Sequence, residues 1–95
     1  MRASLVIPTM NKLPRLKLVL TSIEAQVEAK DLFEVIIVDD GSTDGTGDYV
    51  KSLNMDLDIR LIRQKNSGRA ATRNTGMTAA KNELIIFSDD DLILA

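Results

Sequence analysis

The sequence contains no cysteine and no histidine. The first absence excludes a disulfide framework and any thiolate metal site. The second removes the usual base for proton transfer near neutral pH and the commonest neutral metal ligand. A metal on this chain must therefore sit on carboxylates, which favour a hard, oxygen-seeking ion such as Mg²⁺ or Mn²⁺. Tryptophan is absent too, and Phe33, Tyr49 and Phe87 are the only aromatic residues, so the core has to be aliphatic. No apolar run approaches the roughly 20 residues that span a bilayer. The opening Met1-Arg2-Ala3-Ser4-Leu5 lacks the layout of a signal peptide. The expected setting is soluble and cytoplasmic, or at the cytoplasmic face of a membrane. An excess of positive charge is also missing. Twelve basic residues against 14 acidic ones leave a net charge of −2, which argues against a nucleic-acid partner.

What is present is ordinary for a folded chain. Ninety-five residues suit one domain, and a hydrophobic content of 44% excludes a disordered tail. Apolar periodicity divides the chain into seven elements. Ala3 to Pro8 reads as a strand around Leu5-Val6-Ile7. Pro14 suits the first turn of a helix, and Leu16, Val19, Leu20, Ile23 and Val27 carry that helix over 14–28. A second strand covers 34–39, and Tyr49, Val50 and Leu53 mark a short helix over about 46–53. Residues 57–63 begin with apolar and polar residues in alternation, the pattern of a sheet edge with one wetter face. After the turn Asn66-Ser67-Gly68, residues 69–82 read as a helix, with Ala70, Ala71, Met77 and Ala80 offering a small packing face. Leu84-Ile85-Ile86-Phe87 is the fourth strand, apolar throughout, the pattern of a strand buried on both faces. Strands alternating with helices imply an α/β fold with a parallel sheet and right-handed crossovers. The expected order is 3-2-1-4, Rossmann-like, with strand 57–63 at one edge and helices on both faces.

The densest chemistry follows the second strand, in Val38-Asp39-Asp40-Gly41-Ser42-Thr43-Asp44-Gly45-Thr46. Ligands of open α/β sheets bind outside the carboxyl ends of the strands, so Asp39 and Asp40 stand at the ligand edge. Gly41 and Gly45 permit tight turns, and Thr43 or Asp44 can cap the next helix. A plain strand-to-helix loop would use the same residue types. An EF-hand matches at Asp40, Ser42, Asp44 and Gly45 but fails at Gly47 and at Lys51, where the bidentate acid belongs.

The fourth strand ends in Asp89-Asp90-Asp91. These acids are either a solvated strand end or a cation site, since adjacent like charges repel and a cation relieves them. In extended backbone Asp89 and Asp91 share one side and one ion, with Asp90 directed elsewhere. Arg69 and Arg73 share a helix face just beyond Asn66-Ser67-Gly68. They form a solvated basic face or, at a helix start that favours anions, a phosphate site. Thr9 and Asn11 are equally compatible with helix capping. No Gly-x-Gly-x-x-Gly follows the first strand and no Gly-Lys-Ser/Thr phosphate loop occurs. The position where a receiver domain carries its acidic pair holds Pro8-Thr9-Met10-Asn11.

Together these segments resemble the family 2 glycosyltransferases, which have the GT-A fold. The resemblance runs through Ile7-Pro8-Thr9-Met10-Asn11, then residues 38–46, then Asn66-x-Gly68 to Arg73-Asn74-x-Gly76, and ends at Phe87-Ser88-Asp89-Asp90-Asp91. Thr72 departs from the usual alanine before Arg-Asn. The resemblance implies a site for a nucleotide-diphosphate sugar of the UDP or GDP type. Pro8, Thr9 and Asn11 would lie beside the nucleoside. Asp40, helped by Asp39, would receive the base or ribose, and Arg73 would approach the base or diphosphate. Asp89 and Asp91 match the outer acids of the family's Asp-x-Asp motif. Asp89 and Asp90 would face the nucleotide, while Asp91 and Asp89 would hold the Mn²⁺ or Mg²⁺ that bridges the diphosphate.

The resemblance also implies that residues 1–95 are the donor-binding half of a GT-A domain. The acceptor half, with its general base, would follow, and no residue here is assigned a catalytic role. The alternative is a non-catalytic module, derived from a glycosyltransferase, that binds a nucleotide or a partner protein. Strand 84–87, apolar and unpaired along one edge, suggests a homo-oligomer formed through it.

Overall fold

The computed structural model of this chain describes residues 3–25, 33–53, 58–82 and 84–87. The elements are β1 (Ala3–Thr9), α1 (Leu13–Ala25), β2 (Phe33–Asp39), α2 (Thr46–Ser52), β3 (Asp58–Arg63), α3 (Arg69–Ala79) and β4 (Leu84–Phe87). The four strands form one sheet in the order β3-β2-β1-β4. Every pair is parallel, with Leu5 opposite Val35 and Ile86, and Val35 opposite Ile59. The expected architecture is therefore the observed one.

The two inner strands have no polar face, and this is why both sides of the sheet carry helices. Leu5, Ile7, Val35 and Ile37 point to one side. There they meet Leu16, Val19, Leu20 and Ile23 of α1 and Val50 of α2 in a single buried cluster. Val6, Ile36 and Val38 point to the other side and pack against Ile62, Ala79, Ala80 and Ile85. Pro8 lies inside β1, where it pairs with Val38 of β2. β4 reaches only as far as Val6, so the missing N–H of Pro8 costs no described ladder bond on that side.

Three local expectations need correction. α3 ends at Ala79 rather than at 82, because the chain beyond it is bound elsewhere. Ala80 is extended, Lys81 N donates to Glu34 Oε2 at 3.1 Å, and Asn82 Nδ2 donates to Ser4 Oγ at 3.2 Å. Of the expected packing face Ala70, Ala71, Met77 and Ala80, Ala80 packs on the core just past the end of α3, whereas Met77 and Ala70 do not. Met77 is 48% exposed, Ala70 is exposed, and the buried residues of the helix are Thr72 and Gly76. Gly76 allows the close approach, since a Cβ there would collide with Cγ1 of Val6. Finally, β4 is not buried on both faces. Leu84, Ile86 and Phe87 are exposed, and only Ile85 packs on the core. Val27 and Leu57, at the margins of two expected elements, lie outside the described residues.

At the amino end of the sheet a single acid gathers several elements. Glu34 is 1% exposed. It accepts from Ser4 Oγ at 2.8 Å and Arg60 Nη1 at 2.8 Å, besides Lys81 N. Arg60 Nη1 also donates to the carbonyl of Ala79 at 2.9 Å. Burial alone pushes the Glu34 carboxyl up, but the bonds from Ser4, Arg60 and Lys81, with the Arg60 charge, together hold it below the ordinary value.

Candidate functional site

At the opposite end, the carboxyl ends of β1, β2 and β3 feed three loops that are bonded to one another. The backbone continues the sheet pattern for one more step, with Asp40 N donating to Thr9 O and Gln64 N donating to Asp39 O, both at 2.9 Å. Beyond that step the side chains take over.

The first loop turns at Asn11, which is left-handed at φ 52. Asparagine tolerates this conformation better than most residues. Asn11 N donates to Ser42 Oγ at 2.8 Å, and Asn11 Oδ1 accepts from Thr43 N at 2.8 Å. The first two loops are thus clasped reciprocally. Asp44 adds a second clasp. Its Oδ2 accepts from Leu13 N, the first residue of α1, at 3.0 Å. Its Oδ1 accepts from Thr46 N, at the start of α2, at 3.2 Å and from the Thr46 hydroxyl. One carboxylate therefore satisfies orphan donors at two helix starts, where negative charge is favoured. The Thr46 hydroxyl, helped by the Leu13 and Thr46 N–H groups, outweighs burial and holds the Asp44 carboxyl below its ordinary value. Of the two expected caps, Asp44 serves α2, while Thr43 turns to Asn11.

Asp39 and Asp40 are adjacent in sequence and differ in their surroundings. Asp39 is wholly buried. Its Oδ1 accepts from Ser42 N at 2.9 Å. Its Oδ2 forms an ion pair with Arg63 Nε at 3.3 Å, and no hydrogen bond reaches that oxygen among the described residues. Arg63 Nη2 also donates to the Ser42 carbonyl at 3.2 Å. Asp40 faces the third loop, where Ser67 N, Gln64 Nε2 and Gly68 N all donate to it. Burial pushes its carboxyl up, but these bonds together hold it below the ordinary value. Gly41 (φ 91) and Gly68 (φ 94) supply the left-handed turns that bring the loops together.

Pro8 and Thr9, at the end of β1, and Asn11, Asp39 and Asp40 thus share one edge of the sheet. Arg73 projects from the second turn of α3, and its guanidinium stands over the Phe87 ring of β4, 5.6 Å from the centroid. Asp89, Asp90 and Asp91, and the side chain of Arg69, lie outside the described residues. Among the described residues no group of three or more acids could hold a metal ion. No described helix is long and apolar enough to cross a membrane. Two side chains of this edge, Arg63 and Gln64, are absent from the sequence reading. They end β3 directly, and the strand-end rule that singled out Asp39 and Asp40 applies to them equally. Reading β3 as a wet edge strand hid them.

A family model described as Glycosyl transferase family 2 matches residues 4–95. The uncharacterized glycosyltransferase YfnE of Bacillus subtilis is 38% identical over 96 residues, which cover 100% of this chain and 24% of that protein. The structure of S. aureus TarS in complex with UDP-GlcNAc superposes with a TM-score of 0.86 at 33% identity, over 96% of this chain and 27% of the other. The mannosyltransferase PcManGT from Pyrobaculum calidifontis, in complex with GDP-Man and Mn²⁺, gives a TM-score of 0.85 at 32% identity, over 95% and 27%. The chain thus spans about a quarter of the length of the relatives it matches. Its parallel sheet is that of the GT-A fold, and the chain belongs to glycosyltransferase family 2.

Proposed function

We propose that this chain binds a nucleoside-diphosphate sugar at the carboxyl edge of its sheet, as the donor-binding part, residues 1–95, of an enzyme that passes the sugar to an acceptor. The observation that carries this reading is the placement of Arg73 over Phe87. It brings a cation from α3 to the strand that leads, two residues later in sequence, to Asp89. A cation over the strand that precedes these acids in sequence suits a diphosphate bridged by a divalent ion. Further support comes from relatives: TarS has been captured with UDP-GlcNAc and with UDP, and PcManGT with GDP-Man and Mn²⁺.

In this reading Pro8, Thr9 and Asn11 lie beside the nucleoside. Asp40, helped by Asp39, receives the base or ribose. Arg73 meets the base or the diphosphate, and Asp89 and Asp90 face the nucleotide. Asp91 and Asp89 hold Mn²⁺ or Mg²⁺. The donor set fits a hard ion, because the chain offers carboxylates and has neither thiolate nor imidazole. Such an ion, when bound, stabilises the charge that grows on the departing nucleoside diphosphate. We also infer that a second copy pairs along β4. Leu84, Ile86 and Phe87 are exposed on a strand whose only described neighbour is β1.

Isothermal titration with UDP and GDP tests the site. Binding strengthens with Mn²⁺ or Mg²⁺ in the wild-type chain. Arg73→Ala weakens it with or without metal, while Asp91→Ala removes most of the metal dependence. Unchanged metal dependence in Asp91→Ala defeats the metal assignment. Nucleotide binding without sugar transfer to any acceptor would favour the non-catalytic module. Sedimentation over a range of concentrations tests the second copy, and a monomer at high concentration rejects it.

A further inference from the structure

Both polar atoms of the Gln64 side chain are bonded within the chain. Nε2 donates to Asp40 Oδ1 at 3.1 Å and to Thr72 Oγ1 at 3.2 Å, and Oε1 accepts from Thr75 Oγ1 at 2.6 Å. Chemistry fixes the orientation of this amide: an ionised carboxylate only accepts, so the NH₂ group must face Asp40. The backbone of Gln64 is held as well, since its N–H donates to Asp39 O at 2.9 Å. Thr72 is 2% exposed, and its hydroxyl donates to the Gly68 carbonyl at 2.7 Å. The alanine usual at this position would leave the second amide N–H of Gln64 without that acceptor. Asp40 itself accepts from Ser67 N at 2.8 Å and from Gln64 on Oδ1, and from Gly68 N at 3.2 Å on Oδ2. A carboxylate offers about four acceptor positions, and no described residue bonds to the fourth, on Oδ2. Burial pushes the Asp40 carboxyl up, but Ser67, Gln64, Gly68 and Thr72 together hold it below its ordinary value, so it remains an acceptor at neutral pH.

We propose that Gln64 is a positioning residue, locked by Thr72 and Thr75 of α3, that aims the Asp40 carboxylate at the base or ribose of the donor. The inference rests on the nucleotide reading above and adds a residue to it: Gln64 acts through Asp40 and does not itself touch the ligand. A glutamine anchored at both ends of its amide loses little further freedom when a ligand arrives, so the carboxylate it holds is set in advance. Without Gln64 the carboxylate keeps its two backbone donors, which hold the turn, and loses the bond from β3 that fixes its direction.

The test compares wild type with Gln64→Met, Thr72→Val and Thr72→Ser, each checked for folding by circular dichroism. Gln64→Met keeps the length of the side chain and removes its hydrogen bonds. Thr72→Val removes the hydroxyl and Thr72→Ser retains it, and this pair carries the comparison if Gln64→Met does not fold. The readouts are affinity for UDP and for inorganic pyrophosphate, both with Mn²⁺, and amide exchange at Ser67 and Gly68 in the free chain. UDP affinity falls by about tenfold in Gln64→Met and by about threefold in Thr72→Val, while Thr72→Ser stays at the wild-type value. Pyrophosphate has no base or ribose for Asp40 to receive, and the Ser67 and Gly68 amides keep their acceptor. Pyrophosphate affinity and exchange rates therefore stay within about twofold of wild type. Unchanged UDP affinity in either folded variant, Gln64→Met or Thr72→Val, overturns the inference. So does an equal fall for pyrophosphate, or exchange that quickens as far as UDP affinity falls, since Gln64 is then a support of the loop and no more. Either result leaves the nucleotide reading standing. Failure of the wild-type chain to bind UDP or GDP instead overturns the nucleotide reading, and the positioning role with it.

Discussion

Both ends of the sheet are closed by carboxylates, and the two closures differ in kind. At the amino end one acid, Glu34, takes donors from β1, β3 and the segment after α3. Both of its oxygens are satisfied, and the network points inward. At the carboxyl end three acids, Asp39, Asp40 and Asp44, serve three loops and two helix starts. The turns there carry positive φ at Asn11, Gly41, Gly45 and Gly68, and one buried oxygen of Asp39 has no hydrogen bond among the described residues. A saturated network fixes strands and has nothing left for a ligand. A network of loops joined through positive-φ turns holds strain that a ligand can exploit.

Acid breaks the comparison most completely, because it attacks both ends at once. Asp40 and Asp44 are held below an ordinary value of 3.8, and Glu34 below 4.5. Below those ordinary values the unfolded chain binds more protons than the folded one. The stability these groups contribute is thus complete above about pH 5.5 and is lost as pH falls through the folded values. Urea denaturation at a series of pH values should show a flat region from neutral down to about pH 5.5 and a steep fall below about pH 4. A stability independent of pH down to about pH 3 contradicts the charged networks.

Next in size is Glu34→Ala. Removing one partner of a buried pair is costly, but Arg60 keeps 35% of its side chain exposed and can recover water. The expected loss is about 3 kcal/mol, toward the low end for such pairs. Nucleotide affinity of the folded fraction should stay at the wild-type value, since this network lies at the far end of the sheet. A fall in affinity without a fall in stability would reverse the roles assigned to the two ends.

Asp44→Ala tests the other end. It uncaps α1 and α2 together and should cost about 1–2 kcal/mol in denaturant unfolding. Asp44→Asn, which keeps an acceptor oxygen, should recover more than half of that. Unlike Glu34→Ala, the alanine variant should also weaken nucleotide binding, because the loop clasp through Asn11 and Thr43 rests on the same turn.

The two ends were also unequally legible in the sequence. Strand order, parallel pairing and both packed faces followed from apolar runs, because uniform apolarity in β1 and β2 leaves no solvent face. The carboxyl edge was legible because its acids sit beside glycines immediately after a strand, where turn chemistry and ligand position coincide. Glu34 was not. A single acid at the start of a strand looks like a solvated end, and only its register against Ser4 and the return of the chain at Lys81 and Asn82 bury it. Those contacts span dozens of residues and leave no local pattern. The same distance effect shortened α3, whose expected last turn is drawn away to Glu34 and Ser4. Gly76 went unread as a packing contact because its role depends on Val6, far away in sequence.

The smallest expected effect concerns Arg63, whose side chain is 49% exposed although its partner Asp39 is wholly buried. Half-exposed ion pairs contribute little, so Arg63→Lys should change stability by no more than about 0.5 kcal/mol. The lysine keeps the charge but cannot repeat both the ion pair to Asp39 and the bond to the Ser42 carbonyl. If the Asp39–Arg63 pair holds the Ser42 loop beside the nucleotide, this exchange should alter UDP affinity more than it alters unfolding, and the change should shrink at high salt. Titration of wild type and Arg63→Lys at low and high salt, beside urea unfolding under the same conditions, separates the two effects. Equal, salt-independent losses in binding and stability would place Asp39 and Arg63 with Glu34 and Arg60, as scaffold.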